Sequence, residues 1–234
     1  FALTDEGAQV YQAALQVLAS LENFRTEVNS LHANLRGDLN IAVTDNLVTM
    51  SNHMRVTNSL ARLKQRGEAV RINIRMMPPS EIEKSVLDGR MHVGVIPSIK
   101  SLAGLDYMSL YDEQSHLYCG NTHRLFNALD NMNEEDILQQ DAVVAGASMP
   151  DAGRTITKRM HVTATAADRE GIAFLILSGE YIGFLPDHYA ERWVREKRMT
   201  ALLPGTLSFT TPYAAITRKG SRPNLVVETY LEEL

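Results

Sequence analysis

Apolar residues at Val10, Ala14, Val17, Leu21, Phe24, Val28, Leu31 and Leu35 step by four and three in strict alternation, and after Gly37 the period drops to two. A seam of period 3.5 is the signature of a helix that packs along a partner helix, and a narrow stripe suits a broad core poorly. Thr4 stands where an N-cap belongs, with Leu3 placed for a hydrophobic staple and Asp5 and Glu6 in a first turn whose dipole favours negative charge. The spacing predicts a helix from about Thr4 to Arg36, roughly 50 Å long, stopped by Gly37. It predicts a dimer whose contact runs through Val10, Ala14, Val17, Leu21, Phe24, Val28 and Leu31.

Beyond Gly37, Leu39, Ile41 and Val43 alternate with Asn40, Ala42 and Thr44, which reads as a strand. A helix is expected over Thr49 to Arg66, then a second alternation through Val70, Ile72, Ile74 and Met76. Ser80 and Glu83 have the spacing of a capping box at the start of another helix, closed by Gly89. The run "MHVGVI" supplies a third strand. Strands separated by helices imply right-handed crossovers and a parallel sheet, so residues 38–97 form a doubly wound α/β unit.

A second unit follows "LDYMSLYDEQSHLYCG", read as one or two strands leading out of the first sheet. Asn133 caps a short helix, "DAVVAG" is a short buried strand, and an apolar helix runs from Asp168 to Leu177 before Gly179. "YIGFLP" is a strand, with Asp187 capping "HYAERWVREK"; "FTTPYAAIT" is strand-like, and a last helix begins at Pro223. The fold class expected is α/β, two lobes with mainly parallel sheets joined by crossing strands behind a long leading helix. A cleft between lobes is the expected binding site.

Ligands of such sheets sit at the carboxyl ends of strands beside helix N-termini. That logic selects Thr44, Asn46 and Thr49 after the first strand, Ser80 at a helix start and Ser98 after the third strand. Their hydroxyl and amide groups, beside backbone N–H groups, suit a small anion, although Asp45 would repel one. On the second lobe, Ser148 and the loop to Gly153 face the cleft, with Met149 and Phe184 as apolar contacts.

A net charge of −5 opposes a phosphate-gripping surface, so DNA contact by this segment itself is not expected. Arg192, Arg195, Lys197 and Arg198 read as a solvated helix face. The longest strongly apolar stretch, Ile172 to Leu177, is far below the roughly 20 residues a membrane span needs. With no leader pattern and one cysteine, Cys119, the chain reads as cytoplasmic and without membrane contact. His116, Cys119 and His123 have a superficial metal-site spacing, but two alternate along a strand and the third lies in a loop, so no metal is expected. No Gly-rich phosphate loop, nucleophile elbow or spaced carboxylate pair is present, which argues against an enzyme and against a resident cofactor.

In their order, "FALTDEGAQVYQAALQVL", "GDLNIAV", "LDGRMHVGVI" and "ILSGEYIGFLPDHYA" resemble the LysR-type transcriptional regulators across essentially the whole chain. The chain departs from the family pattern at His123-Arg124-Leu125, where His-Pro-Leu is common, and at Glu180, where a small residue is. The resemblance implies a periplasmic-binding-protein-like effector-binding domain that forms dimers or tetramers. It also implies a linker and dimerisation helix at 1–36, a first lobe at 37–120 with 206–234, and a second lobe at 121–205. The opening Phe and the early helix fit a piece of a longer protein, in which DNA is bound through an N-terminal winged helix-turn-helix. The alternative is a two-lobed solute-binding protein of a transport system, which would not require the heptad seam.

Overall fold

The computed structural model describes residues 4–30, 35–50, 55–128, 133–146 and 149–234, apart from the side chains of residues 23 and 25–30. The leading helix α1 spans Asp5–Ser30, and Thr4 caps it, its Oγ1 accepting from the Gly7 N–H at 3.1 Å. The staple expected at Leu3 lies outside the described residues. The helix expected as far as Arg36 is shorter, because strand β1 (Arg36–Val43) already begins there. Arg36 pairs with Ala69 and Gly37 with Val70 in a parallel ladder, so Gly37 belongs to a strand rather than a helix stop. Leu35 has left the seam and packs against the first core.

Strand β1 lies between β2 (Ala69–Met76) and β3 (Val93–Pro97), parallel to both. Its alternation works as read: Leu39, Ile41 and Val43 join a core with Leu63 of helix α2 (Arg55–Arg66), while Ala42 faces Ile82 and Val86 of α3 (Pro79–Leu87). The expected capping box at Ser80 does not form. Pro78 occupies the N-cap, Ser80 lies exposed inside the first turn, and Glu83 bonds Tyr107 instead. Proline at a helix start costs no hydrogen bond there, so Pro78 and Pro79 set the start two positions before Ser80.

The long strand β4 (Leu105–Gly120) leads out of this half. Next come α4 (Glu134–Leu138), capped by Asn133 as expected, β5 (Asp141–Ala145), α5 (Asp151–Thr157), β6 (His161–Ala166) and α6 (Arg169–Leu177). Strand β7 (Ile182–Pro186), α7 (Asp187–Arg195), β8 (Met199–Ala201), β9 (Ser208–Arg218) and α8 (Leu225–Glu233) complete the chain. Three of these go beyond the sequence pattern: α5 replaces part of the loop expected up to Gly153, and β6 and β8 are short strands. Asp187 is the first residue of α7 rather than its cap; its carboxylate lies 2.5 Å from His116 Nδ1 and accepts from the Tyr118 hydroxyl at 3.1 Å.

One mixed sheet carries both halves in the order β2-β1-β3-β9-β4-β7-β5-β6, with β8 on β4. The flanks are parallel and the centre is antiparallel, because β9 returns from the second half to lie between β3 and β4. This is the curled α/β architecture of two lobes. The first lobe's cores gather around Ile41, Leu63 and Tyr230 and around Ile82 and Ile216. Those of the second gather around Leu117, Leu138 and Ile182 and around Ile176, Leu185 and Trp193. Among the described residues, no helix is long and apolar enough to cross a membrane.

Candidate functional site

A cavity of about 530 Å³ opens between the lobes, at the carboxyl ends of β1, β3 and β5 and beside the N-terminus of α6. Val48, Met76, Met77, Ile172, Phe184 and Phe209 give it a largely apolar lining, with Phe184 and Phe209 packed ring to ring at 5.0 Å. Its size and lining fall in the ordinary range of small-molecule pockets.

One wall is polar and tightly connected. Arg169, at the start of α6, donates through Nη1 to Asp45 Oδ1 at 2.7 Å and through its backbone N–H to Asp45 Oδ2 at 2.9 Å. Its Nη2 donates to Glu113 Oε1 at 2.9 Å and to the Tyr213 hydroxyl at 2.7 Å. The other Glu113 oxygen lies 3.0 Å from His188 Nε2, and His188 Nδ1 lies 2.7 Å from Thr49 Oγ1. Asn46, in the left-handed region at φ 66°, donates its side-chain amide to Asp45 at 2.7 Å. Burial works most strongly against the charge on Arg169, but Tyr213, Glu113 and Asp45 outweigh it and raise its pKa above the ordinary guanidinium value. Burial likewise pushes the Tyr213 hydroxyl up, so it stays protonated beside Arg169.

Of the residues expected at the site, Thr44, Asn46, Met149 and Phe184 line the cavity. Thr49 sits behind the wall, against His188. Ser80 and Ser98 are not part of the lining, and Ser148 lies outside the described residues. The N–H groups expected to be open for an anion are engaged: Thr44 donates to Val95, Thr49 to Asn46 and Ser98 to Pro212. The wall that sequence reasoning overlooked is Glu113, Arg169 and His188. Glu113 was legible by parity, since Tyr111, Ser115, Leu117 and Cys119 share its buried face of β4.

His116, Cys119 and His123 do not converge. Asp187 holds His116, His123 Nδ1 accepts from the Leu125 N–H at 3.1 Å, and burial pushes the Cys119 thiol up to about 12. Among the described residues no group of His, Cys, Asp and Glu is arranged to hold a metal ion.

Residues 32–234 match the LysR substrate binding domain family. The chain belongs to the LysR-type transcriptional regulators. It is 49% identical over 233 residues to the HTH-type transcriptional activator BauR of Pseudomonas aeruginosa, which covers 99% of this chain and 76% of BauR. A full-length OxyR variant from Pseudomonas aeruginosa superposes with a TM-score of 0.68 at 13% identity, covering 99% of this chain and 76% of that one. The BenM effector binding domain with its effector benzoate superposes with a TM-score of 0.60 at 13% identity, covering 84% of this chain and 89% of that one. At such identities these two share the fold alone, the periplasmic-binding-protein-like fold of LysR regulatory domains. In this LysR chain the residues matched to the family contain the cavity and both of its walls.

Proposed function

We propose that this LysR chain senses a small molecule in the interlobe cavity and passes the occupancy signal to DNA through a winged helix-turn-helix joined to α1, acting as a transcriptional activator. The observation that carries the reading is the largely apolar cleft between two lobes, bounded by strand ends from both. Among the described residues, its lining bears four carboxylates, Asp45, Glu113, Asp168 and Glu170, against the single guanidinium of Arg169, which is already shared. That balance disfavours a bare anion and favours a compact molecule with an apolar body.

The lobe division belongs to the same proposal. We place the crossover inside β4 and β9, near Leu110 to Glu113 and Thr211 to Tyr213, rather than at 121 and 206. Leu110 and Tyr111 pack in the first-lobe core, whereas Leu117 and Cys119 pack in the second. The helix α1 pairs two chains through Val10, Ala14, Val17, Leu21 and Phe24, all exposed on the isolated chain; Val28 and Leu31 of the expected seam fall on side chains outside the described residues.

A thermal-shift screen over organic acids, zwitterions, amines and neutral aromatics tests the reading, because a native-state ligand raises the melting point by mass action. A compound that stabilises the protein is expected to bind several-fold more weakly to Thr44→Val or to Phe184→Ala, since one lost ligand hydrogen bond costs about 0.5–1.5 kcal/mol. Unchanged affinity in both variants places its site elsewhere.

A further inference from the structure

The polar wall does more than line a cavity. Asp45 and Thr49 belong to the segment after β1, in the first lobe, whereas Arg169 and His188 open α6 and α7 in the second. Each first-lobe residue grips one second-lobe residue, and both second-lobe residues are gripped in turn by Glu113, on the strand that crosses between lobes. Glu113 is 2% exposed, and each of its oxygens faces a different partner. A carboxylate so deeply desolvated is tolerated only when it is paired, and removing either partner leaves it short.

We infer that Glu113 is the positioning residue of an interlobe clasp: it orients Arg169 and His188 together, so that the Asp45–Arg169 and Thr49–His188 links form and release as one unit. This goes beyond the sensing proposal and does not depend on what fills the cavity. The two links approach Glu113 from opposite oxygens, so the carboxylate is the bridge between His188 and Arg169. Loss of the Thr49–His188 link therefore reaches Arg169 through Glu113, because a His188 ring no longer held by Thr49 stops fixing the carboxylate against which the guanidinium is set. The segment from Asp45 to Thr49 is held at both ends, which closes the ring.

The Arg169 backbone N–H gives a direct readout, because its acceptor is the Asp45 carboxylate across the lobe boundary. Hydrogen exchange of the whole chain without ligand, resolved to single amides, compares wild type with Glu113→Gln and Thr49→Val. Thr49→Val removes a half-buried hydroxyl that meets His188 and also donates to the Asn46 carbonyl, and it keeps all the charged wall residues, so the test remains available if Glu113→Gln fails to fold. Both variants are expected to speed exchange at Arg169 by roughly fivefold to tenfold, with Tyr230, in the core of the first lobe, unchanged. Exchange at Arg169 that stays at the wild-type rate in Thr49→Val overturns the clasp. Equal acceleration at Arg169 and Tyr230 overturns it as well, since that is lost global stability and not coupling.

Discussion

At the scale of single residues, His123 shows how burial writes a pH response into the second lobe. It is 7% exposed, and burial above all, then Arg124, lowers its pKa against a smaller opposing pull from Glu180. Its Nδ1 accepts from the Leu125 N–H, so the folded ring is neutral with the proton on Nε2. The unfolded chain takes up a proton near pH 6.5 while the folded one resists to lower pH, so below that value the unfolded state binds more protons. Stability contributed by His123 is therefore complete above about pH 6.5 and is lost as pH falls through the folded pKa. Melting temperatures from pH 8 to pH 5 are expected to drop less steeply for His123→Asn, which keeps an acceptor for Leu125 but does not titrate. Parallel curves for the two proteins count against this account. The same contrast explains what was readable in advance. Strand-end logic finds Thr44 and Asn46 because a strand end is local, whereas Arg169 looks like any first-turn residue after the Asp168 cap. Its role comes from Asp45, which lies 124 positions away in sequence.

At the scale of elements, close approach between α6 and β4 sets the second lobe's geometry. A Cβ at Gly120 would sit 2.3 Å from the Ile176 carbonyl oxygen, and a backbone atom of a packed helix cannot swing aside as a side-chain end can. Gly120→Ala is expected to cost about 1–3 kcal/mol, read as a lower urea midpoint with an unchanged slope. Gly205→Ala, where an added Cβ meets nothing within 4 Å, is expected to be nearly neutral. A Gly120→Ala midpoint equal to that of Gly205→Ala means the α6–β4 contact is looser than described. Elements with a strong stripe or a closed apolar run were readable, among them β1, β3, α6 and β7. Helix α5 was not, since Gly153 is its one buried residue and seven residues give no stripe. Strand β6 was missed for a related reason: it is an edge strand whose Val-Thr-Ala-Thr-Ala run offers little contrast between faces.

At the scale of the whole molecule, the seam on α1 is left uncovered by the described residues of its own chain. Val10 is 68% exposed and Phe24 65%, while the body of the protein meets this helix on other faces, for example through His92 and Glu22. Two buried carboxylates per chain in such a seam would meet their equivalents across the pair, so Val17→Asp with Leu21→Asp is expected to convert the assembly to monomers in light scattering. An unchanged mass locates the subunit contact elsewhere. The two-lobed plan itself followed from alternation of strand and helix, but the antiparallel centre did not, because the return of β9 between β3 and β4 is a long-range choice with no local pattern.

That return has a mechanical consequence. Strands β4 and β9 are bonded to one another from Leu105–Arg218 to His116–Ser208, straight through the boundary between lobes, with one register irregularity between Ser109 and Tyr111. A paired ribbon resists being pulled apart or bent within its own plane, yet yields to torsion. Under the sensing proposal, the reorientation expected of one lobe against the other is a rotation about the ribbon axis, an angle that the length of α1 would convert into distance.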